Sequence, residues 1–465
     1  MFSKETYIKR RGELRKKVSR GGLILLPGNS EAPKNYPDNA YHHRQDSSFL
    51  YFAGLELPGL AMVLDIEEGE DYLFGDDYTM DDIIWMGPQP AIKELGARCG
   101  IKPENVFPAD KIREKLTAAV SKGRPIHFLP PYRGDNKLKL VDWLGIKPTV
   151  LANYVSQELI RAVVSLRSIK SEEEIAQLED ASEIGYRMHT AAMRMARPGG
   201  TEREIAGEIE GIALKYGQGV SFHSIVSQHG ETLHNHNPDG ILEEGRLLLV
   251  DAGAENVNNY CSDFTRAFPV SGKFSQKQKD IYNIVLAANN HAFSLAKPGM
   301  IYRDVHLSAA KVIVEGLISL GLMKGNADDA VENGANGLFM PHGLGHMMGL
   351  DVHDMEDFGE DNVGYDDEIQ RSRKLGHNVR MGRRLQAGMV MTVEPGIYFI
   401  PAYIAQWKAE GLNKEFINFD KLNDYMNFGG IRLEDDLLIT ASGNRMLGKR
   451  RIPITVEEVE AEMAK

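Results

Sequence analysis

The chain has 465 residues, of which 42% are hydrophobic and 26% are charged, as is ordinary for a soluble globular protein of two domains. Its formal net charge of −12 argues against nucleic acid or an anionic membrane as a general partner. The two cysteines, Cys99 and Cys261, are far apart in the chain, and no apolar segment follows the charged N-terminus. These features predict a cytoplasmic protein without a disulfide framework.

Residues 1–170 alternate helical and extended patterns, which predicts a smaller α/β domain. A basic amphipathic helix is predicted at residues 4–18. Strands are predicted at residues 23–26, 61–64, 72–74 and 126–129. We interpret the basic runs at 9–11 and 449–451 as solvated faces rather than as targeting signals. The domain shows no cluster with metal-ligand spacing, so its expected role is structural or to shape a pocket.

From residue 171 onwards the helix signals repeat. Residues 171–174 form a capping box before a helix that stops at 198–200, and Thr201 opens a second helix. About a hundred residues later, Ser275 caps another helix, and a further helix follows to about residue 320. The order helix, helix and strand therefore occurs twice in this part of the chain.

Two strands extend the repeat. Residues 245–253 match residues 388–396 position for position, as Gly, five mostly apolar residues, an acid, a variable residue and Gly. In each half, the acid ends a buried-looking strand, and a partner strand carries a second acid. The first acids are Asp251 and Glu394, and the second acids are Asp263 and Glu434. We therefore predict a pseudo-symmetric domain in which four carboxylates meet at the axis.

Three histidines, His342, His346 and His353, fall within twelve residues of one another. His342 and His346 have the spacing of a helical zinc motif. Because Gly343 and Gly345 disfavour a helix, we predict an irregular loop instead. Four carboxylates with one or more imidazoles form an oxygen-rich site that suits Mn²⁺, Mg²⁺ or a dinuclear Zn²⁺ or Co²⁺ pair.

Together, these motifs resemble the signature of aminopeptidase P and prolidase, the proline-specific metallopeptidases of the pita-bread fold. The resemblance is carried by the hairpin at 246–266 and by residues 342–354, 392–396 and 431–436. Residues 44–54 are similar to part of the creatinase-like N-terminal domain of the same family.

The resemblance implies an α/β (α+β) chain of two domains. An N-terminal aminopeptidase P-like domain is expected at 1–170, and a pseudo-symmetric pita-bread catalytic domain at 171–465. The implied function is that of an Xaa-Pro aminopeptidase, which hydrolyses peptides with proline at the second position and releases the residue before it. The resemblance also implies a homo-oligomer, either a dimer or a tetramer.

Carried over by position, the resemblance implies two divalent metal ions, foremost Mn²⁺, with Co²⁺ and Zn²⁺ as alternatives. The implied metal ligands are Asp251, Asp263, His346, Glu394 and Glu434. Asp263 and Glu434 would bridge the two ions. The implied substrate-binding residues are His234, His342, His353, Arg432 and Arg380. His236 is a competing candidate for the role of His234, and we interpret His229 as a surface residue.

Three of these residues are expected to act in catalysis. Glu394 would shuttle a proton from water to the leaving proline nitrogen. His353 would donate to the oxyanion, and His342 would help to hold the substrate near the scissile bond.

The chain departs from aminopeptidase P in ways that leave an alternative open. The turn between Asp251 and Asp263 is one residue longer than expected, so we predict a bulge. The segments 355–384 and 401–428 resemble prolidase more closely. In prolidases an arginine captures the free carboxylate of a dipeptide, and Arg380 lies at the matching place. The alternative function is therefore that of an Xaa-Pro dipeptidase, which cleaves only dipeptides.

Three rival classes are weaker hypotheses. A non-enzymatic binding protein of the same fold is disfavoured because all five ligand positions are intact. Metal-free chemistry of the creatinase type is disfavoured because unneutralised buried acids are costly. A methionine aminopeptidase would lack the N-terminal domain.

Overall fold

The computed structural model describes residues 2–371 and 379–465. The chain divides into two compact units, Met1–Arg167 with Asp357–Asn362, and Ser168–Glu356 with Val363–Lys465. Within the described ranges, none of the helices combines the length and apolar character that crossing a bilayer requires.

The first unit is built from a mixed β-sheet and helices. Its helices are α1 (Lys4–Lys17), α2 (Ser47–Ala53), α3 (Met80–Met86), α4 (Ile92–Arg98), α5 (Ile112–Ser121), α6 (Gly134–Leu144) and α7 (Gln157–Arg167). Its strands are β1 (Leu23–Pro27), β2 (Ala61–Asp65), β3 (Asp71–Phe74), β4 (Val106–Phe107) and β5 (Ile126–His127).

The strands of this sheet lie in the order β4-β3-β2-β1-β5. β1, β2 and β3 pair antiparallel, whereas β5 and β4 add parallel at the two edges. Alternate strand residues such as Leu23, Leu25 and Val63 share one apolar cluster with Leu116 of α5 and Leu140 of α6. β2 is buried along its whole length, because both of its faces are covered.

The interpretation of residues 9–11 as a solvated basic face is wrong for two of the three. Arg10 is 7% exposed and Arg11 is fully buried. The Arg11 guanidinium donates to Asp71 at 2.7 Å and to the carbonyls of Phe52 and Cys99, both at 2.8 Å. Those carbonyls belong to the ends of α2 and α4, where the helix dipole favours a cation. A buried arginine is tolerated here because its donors are satisfied.

The second unit holds the two halves of the predicted repeat. Its helices are α8 (Glu172–Met195), α9 (Glu202–Tyr216), α10 (Gln276–Leu295), α11 (Tyr302–Ser319), α12 (Ala327–Glu332), α13 (Glu360–Val363, which begins in the first unit), α14 (Pro401–Glu410), α15 (Phe419–Leu422) and α16 (Val456–Met463). Its strands are β6 (Gly219–Val220), β7 (Ile225–Ser227), β8 (Leu247–Ala252), β9 (Ala254–Glu255), β10 (Phe264–Pro269), β11 (Val390–Val393), β12 (Gly396–Tyr398), β13 (Gly430–Arg432), β14 (Asp435–Ile439) and β15 (Asn444–Met446).

Each half begins with a pair of packed helices, α8 with α9 and α10 with α11. Reciprocal capping boxes start α8, α9 and α10, so the predicted helix starts are confirmed. After each helix pair, two antiparallel strands follow: β8 pairs with β10, and β11 pairs with β14. An isolated bridge between Thr265 and Glu434 joins the two hairpins.

The hairpin that carries Asp251 and Asp263 contains no bulge between its paired residues, so that prediction is wrong. Ala252 pairs with Phe264, and Glu255 bridges Cys261 in the same register. The additional residue lies in the turn, where Asn259 adopts φ 63°. Asparagine tolerates this left-handed conformation better than other residues with a side chain, so the turn takes up the extra length.

We expect Arg11→Met to destabilise the first unit by about 3 to 5 kcal/mol, because it leaves two buried carbonyls without this donor and leaves Asp71 with Arg15 as its remaining cationic partner. Lys9→Met removes the same charge from an exposed site on the same helix and should change the free energy of unfolding by less than about 1 kcal/mol. Urea unfolding followed by circular dichroism measures both variants. Equal stability of the two variants would contradict the buried role of Arg11.

Candidate metal centre and active site

Strand register brings the predicted acids together. Asp251 lies near the end of β8, and Asp263 directly precedes β10. In the other half, Val393 pairs with Asp435 and Gly396 pairs with Arg432, so Glu394 lies opposite Glu434. All four carboxylates are at least largely buried, with Asp251, Asp263 and Glu434 exposed by 8%, 5% and 2%.

The two halves are equivalent in their first acids but not in their second. Asp251 pairs with Thr265, whereas its counterpart Glu394 lies opposite Glu434. Thr265 therefore occupies the position equivalent to Glu434, and Asp263 occupies the position equivalent to Arg432. One half thus offers an acid where the other half offers a guanidinium.

His346 lies within this group of carboxylates. The chain from residue 341 to residue 350 forms no helix, as predicted from its glycines. The Nε2 atom of His346 is 3.5 Å from Asp263 Oδ2 and 3.7 Å from Glu394 Oε1. Ligand atoms of Asp263, His346 and Glu434 all lie within 4.8 Å of one another, which is close enough to share a metal ion.

Burial and mutual repulsion make it difficult to ionise all of the carboxylates together. Burial raises the pKa of Asp251 to about 7; Arg432 opposes this rise, while Asp263 and Glu394 reinforce it. Burial and the neighbouring carboxylates raise the pKa of Glu434 well above its usual range. For His346, burial lowers the pKa, but the hydrogen bond to Asp263 and the charge of Glu394 prevail and raise it to about 9.

The donor set fits a pair of divalent cations. Among the described residues, nothing donates a hydrogen bond to the buried Oδ1 of Asp263. Four acids with one imidazole form a hard, oxygen-rich set, and a positive charge at their centre would relieve their mutual repulsion. The residues present therefore fit the metal centre that the sequence predicted.

Arg432 connects three other site residues. Its guanidinium forms an ion pair with Asp251, and its Nη1 donates to the Tyr398 hydroxyl at 2.9 Å. The Tyr398 hydroxyl is 2.9 Å from His342 Nε2, and His342 Nδ1 is 2.7 Å from the Gly343 carbonyl. A carbonyl only accepts, so Nδ1 carries the proton and Nε2 accepts from Tyr398. Burial lowers the pKa of His342 to about 3, which keeps the ring neutral.

His353 stacks on His346, with ring centroids 3.7 Å apart and planes 13° apart. Its Nδ1 lies 2.9 Å from Glu356 Oε2 and also 2.9 Å from Arg380 Nη1. Burial lowers the pKa of His353, so the ring is neutral near pH 7. A neutral ring nitrogen either donates or accepts, so the contacts with Glu356 and Arg380 are alternatives for Nδ1.

A cavity of about 470 Å³ joins these groups, and it lies within the second unit. All ten predicted ligand and substrate residues line it. His236 also lines the cavity, 6.2 Å from His234 and 4.6 Å from His223 between ring centroids. His229 has a side chain that is 57% exposed and pairs with Glu231, as expected of a surface residue.

Sequence analysis missed three residues of the site. Thr265 donates to Glu434 Oε2 at 2.7 Å and accepts from Arg432 Nε at 3.0 Å. It could have been found from its position two residues after Asp263, on the same face of a strand. Tyr398 and Glu356 carried no comparable signal, because their partners are distant in sequence or lie in an irregular loop.

Comparison with known proteins agrees with this geometry. The model of metallopeptidase family M24 matches residues 176–441, which is more than half of the chain. The chain belongs to metallopeptidase family M24. Residues 7–127 also match the model of the aminopeptidase P N-terminal domain. The predicted family and fold class are therefore confirmed.

Similar M24 proteins are named as Xaa-Pro aminopeptidases. A probable Xaa-Pro aminopeptidase of Fusarium vanettenii is 32% identical over 452 residues, covering 96% of this chain and 93% of the relative. A probable Xaa-Pro aminopeptidase of Aspergillus niger is 31% identical, in an alignment that covers 95% of this chain and 92% of the relative. The aminopeptidase PepP of Pseudomonas aeruginosa is a solved structure with TM-score 0.81 and 29% identity, covering 100% of this chain and 98% of its own. Aminopeptidase P of E. coli has TM-score 0.80, 29% identity and the same two coverages.

We expect Thr265→Val to weaken metal binding by about 10- to 100-fold, because the hydroxyl that orients Glu434 is lost. Thr265→Ser keeps the hydroxyl and should bind metal within a few-fold of the parent protein. Titration of the metal-free protein with Mn²⁺, followed by calorimetry, measures both affinities. Parent-like affinity of the valine variant would show that Thr265 does not orient a ligand.

We also expect metal binding to release protons and to strengthen as pH rises. Carboxyls with raised pKa hold protons in the metal-free protein, as does His346, and metal must displace them. Since the pKa of Asp251 is about 7, the apparent affinity should rise steeply from pH 6 to about pH 7. Calorimetry in buffers of different ionisation enthalpy counts the protons released. An affinity independent of pH between 6 and 8 would contradict this assignment.

Proposed function

We propose that this M24 protein is an Xaa-Pro aminopeptidase, which releases the N-terminal residue from peptides whose second residue is proline. The observation that carries the proposal is that four largely buried carboxylates and His346 line one cavity. It is supported by relatives named as Xaa-Pro aminopeptidases that align along almost the whole chain.

We assign five side chains to two divalent ions: Asp251, Asp263, His346, Glu394 and Glu434. Mn²⁺ is the proposed native metal, because one imidazole among four carboxylates is a hard donor set, and Co²⁺ and Zn²⁺ are the alternatives. Bound there, the ions would supply Lewis-acid chemistry, lowering the pKa of water and polarising the scissile carbonyl.

The proposed proton carrier is Glu394. Its carboxylate lines the cavity beside His346, with 3.7 Å between Oε1 and Nε2, and a carboxylate at the reacting centre can take up and give back a proton. It would accept a proton from the attacking water and deliver it to the proline nitrogen, which becomes the leaving amine.

The histidines are assigned to the substrate. When Arg380 donates to Nδ1 of His353, the proton of the neutral ring is on Nε2, which can then donate to the scissile carbonyl oxygen. His234 and Arg432 contribute further polar groups to the cavity wall. His342 would contact substrate through Nε2 only after Tyr398 releases that atom.

Selection of proline follows from the chemistry of the substrate bond. The amide before proline has no N–H. A site without a hydrogen-bond acceptor at that point therefore binds this amide without leaving a donor unsatisfied. Phe222, Ile225 and Leu233 give the cavity apolar surface that can pack against the pyrrolidine ring.

The second candidate function is that of an Xaa-Pro dipeptidase. The observation that favours it is Arg380, which lines the same cavity as the acids. The planar guanidinium of arginine suits the free carboxylate of a dipeptide.

We further propose a domain boundary near residue 170, a cytoplasmic location and a homo-oligomer of two or four copies. The location is supported by Cys99 and Cys261, which are buried and carry free thiols. Analytical ultracentrifugation of the metal-loaded protein tests the oligomeric state.

We expect Mn²⁺-loaded protein to release alanine from Ala-Pro-Ala and to cleave Ala-Ala-Ala far more slowly. Chelation should abolish the activity, and added Mn²⁺ should restore it. Asp263→Asn should lower kcat/KM by more than about 100-fold, because replacing a metal ligand reduces activity more than replacing a residue that is hydrogen-bonded to a ligand. Product release measured by chromatography checks each expectation.

Asp328→Asn is the matched control, since it makes the same change at a side chain that is 69% exposed. It should leave kcat/KM unchanged. Failure of the Mn²⁺-loaded protein to cleave any Xaa-Pro peptide would refute the proposed function, and a strong preference for Ala-Pro over Ala-Pro-Ala would favour the dipeptidase.

A further inference from the structure

Glu356 and Arg380 form an ion pair at the side of the cavity. Glu356 Oε2 is 3.1 Å from Arg380 Nη1, and the two side chains are 18% and 37% exposed. The same Oε2 is 2.9 Å from Nδ1 of His353. The carboxylate therefore contacts both groups that the proposed function assigns to the substrate here.

The pair lies close to the reacting centre. The His353 ring stacks on the His346 ring at 3.7 Å between centroids. Glu356 and Arg380 contact the Nδ1 edge of His353, so a single imidazole separates them from a proposed metal ligand. Arg380 and His353 both line the cavity together with the acids.

Dipeptides and longer peptides differ in charge at the group that follows the proline. If the bond before proline lies at the acids and His346, the next backbone group follows within about one residue length, ~3.8 Å. In an Xaa-Pro dipeptide that group is a carboxylate with a negative charge. In a longer peptide it is a neutral amide.

Glu356 changes the electrostatic environment of a dipeptide carboxylate bound near Arg380. Arginine without an acidic partner would attract it through two parallel hydrogen bonds. Here the guanidinium is already paired, and a second carboxylate would lie near the negative charge of Glu356. In a half-buried site such repulsion is only partly screened by water and salt.

We propose that Glu356 is a specificity-determining residue. It neutralises the charge of Arg380 and so disfavours Xaa-Pro dipeptides, in which the proline carries a free C-terminal carboxylate. The proposal rests on the proposed Xaa-Pro peptidase function and explains how that site selects longer peptides over dipeptides. Glu356 acts through Arg380 and through charge, and takes no part in bond cleavage.

The test compares Ala-Pro with Ala-Pro amide, two substrates that differ only in the charge of the terminal group. The measured quantity is the ratio of kcat/KM for Ala-Pro to kcat/KM for the amide, with Mn²⁺-loaded protein. Glu356→Gln keeps the shape of the side chain and removes its charge. It should raise this ratio at least about tenfold, which corresponds to a free-energy difference of about 1.4 kcal/mol. The change should appear mainly in KM for Ala-Pro, because the carboxylate takes no part in the reaction.

Two further variants locate the effect in the pair. Glu356→Asp keeps the charge and should keep the ratio near that of the parent protein. Adding Arg380→Gln to Glu356→Gln should remove the gain, because the carboxylate of Ala-Pro then has no guanidinium at position 380 to bind. Arg380→Gln alone should lower the ratio, since the negative charge of Glu356 is then no longer neutralised by a guanidinium. This variant tests the proposal even where Glu356→Gln fails to fold.

Glu368→Gln is the matched control. Glu368 pairs with Arg384 on the same segment of the chain, its side chain is 56% exposed, and neither residue lines the cavity. The ratio should not change in this variant. An equal rise in Glu368→Gln, or an unchanged ratio in both Glu356→Gln and Arg380→Gln, would overturn the role of Glu356. If the parent protein cleaves no Xaa-Pro peptide, Ala-Pro-Ala included, the proposed function fails and this inference fails with it.

Discussion

The mutual repulsion of four buried carboxylates is the constraint on which the centre of this protein depends. Asp251, Asp263, Glu394 and Glu434 line one cavity, where burial limits screening of their charges by solvent. Burial is the largest cause that raises the pKa of Asp251, Glu394 and Glu434, and neighbouring carboxylates add to it, so the site needs positive charge to hold them ionised. Arg432 provides one charge within the protein and His346 provides another. A metal pair would supply the remainder, and this need distinguishes a metal centre from an ordinary buried salt bridge.

The fold delivers the acids through two hairpins that are similar without being identical. Equivalent strands place Asp251 and Glu394 at corresponding positions. The register then places Thr265 where the other half has Glu434, and Asp263 where it has Arg432. This asymmetry supplies four acids and one guanidinium: two copies of the first half would offer no guanidinium, and two copies of the second half would offer two. Thr265 instead links Glu434 to Arg432 through its hydroxyl.

A second ionic group supports the strands behind the site. Arg266 and Asp435 are both fully buried, with 2.6 Å between Nη2 and Oδ1, and Arg451 adds a contact with the same carboxylate. Although burial opposes ionisation, these two guanidiniums hold the pKa of Asp435 below its usual value. Arg266 also donates to the Glu434 carbonyl at 2.7 Å, so this group fixes the backbone that carries a proposed ligand. Such buried pairs add little net stability, but removing one partner is costly, which makes the backbone position specific.

The amino-acid sequence by itself determined the local elements and identified ten residues that line the same cavity. Capping boxes fixed the starts of α8, α9 and α10, and two strands ending in an acid identified Asp251 and Glu394. These signals are local, since they depend on a helix end or on alternation along one strand. Only the tertiary structure decided the partners. Arg11 proved to be buried because helix ends from distant parts of the chain surround it, and the pairing of Glu356 with Arg380 depends on the path of a loop. The turn at Asn259 absorbed a residue that spacing alone assigned to a bulge, because backbone register is set by pairing across strands, and a linear sequence does not contain that information.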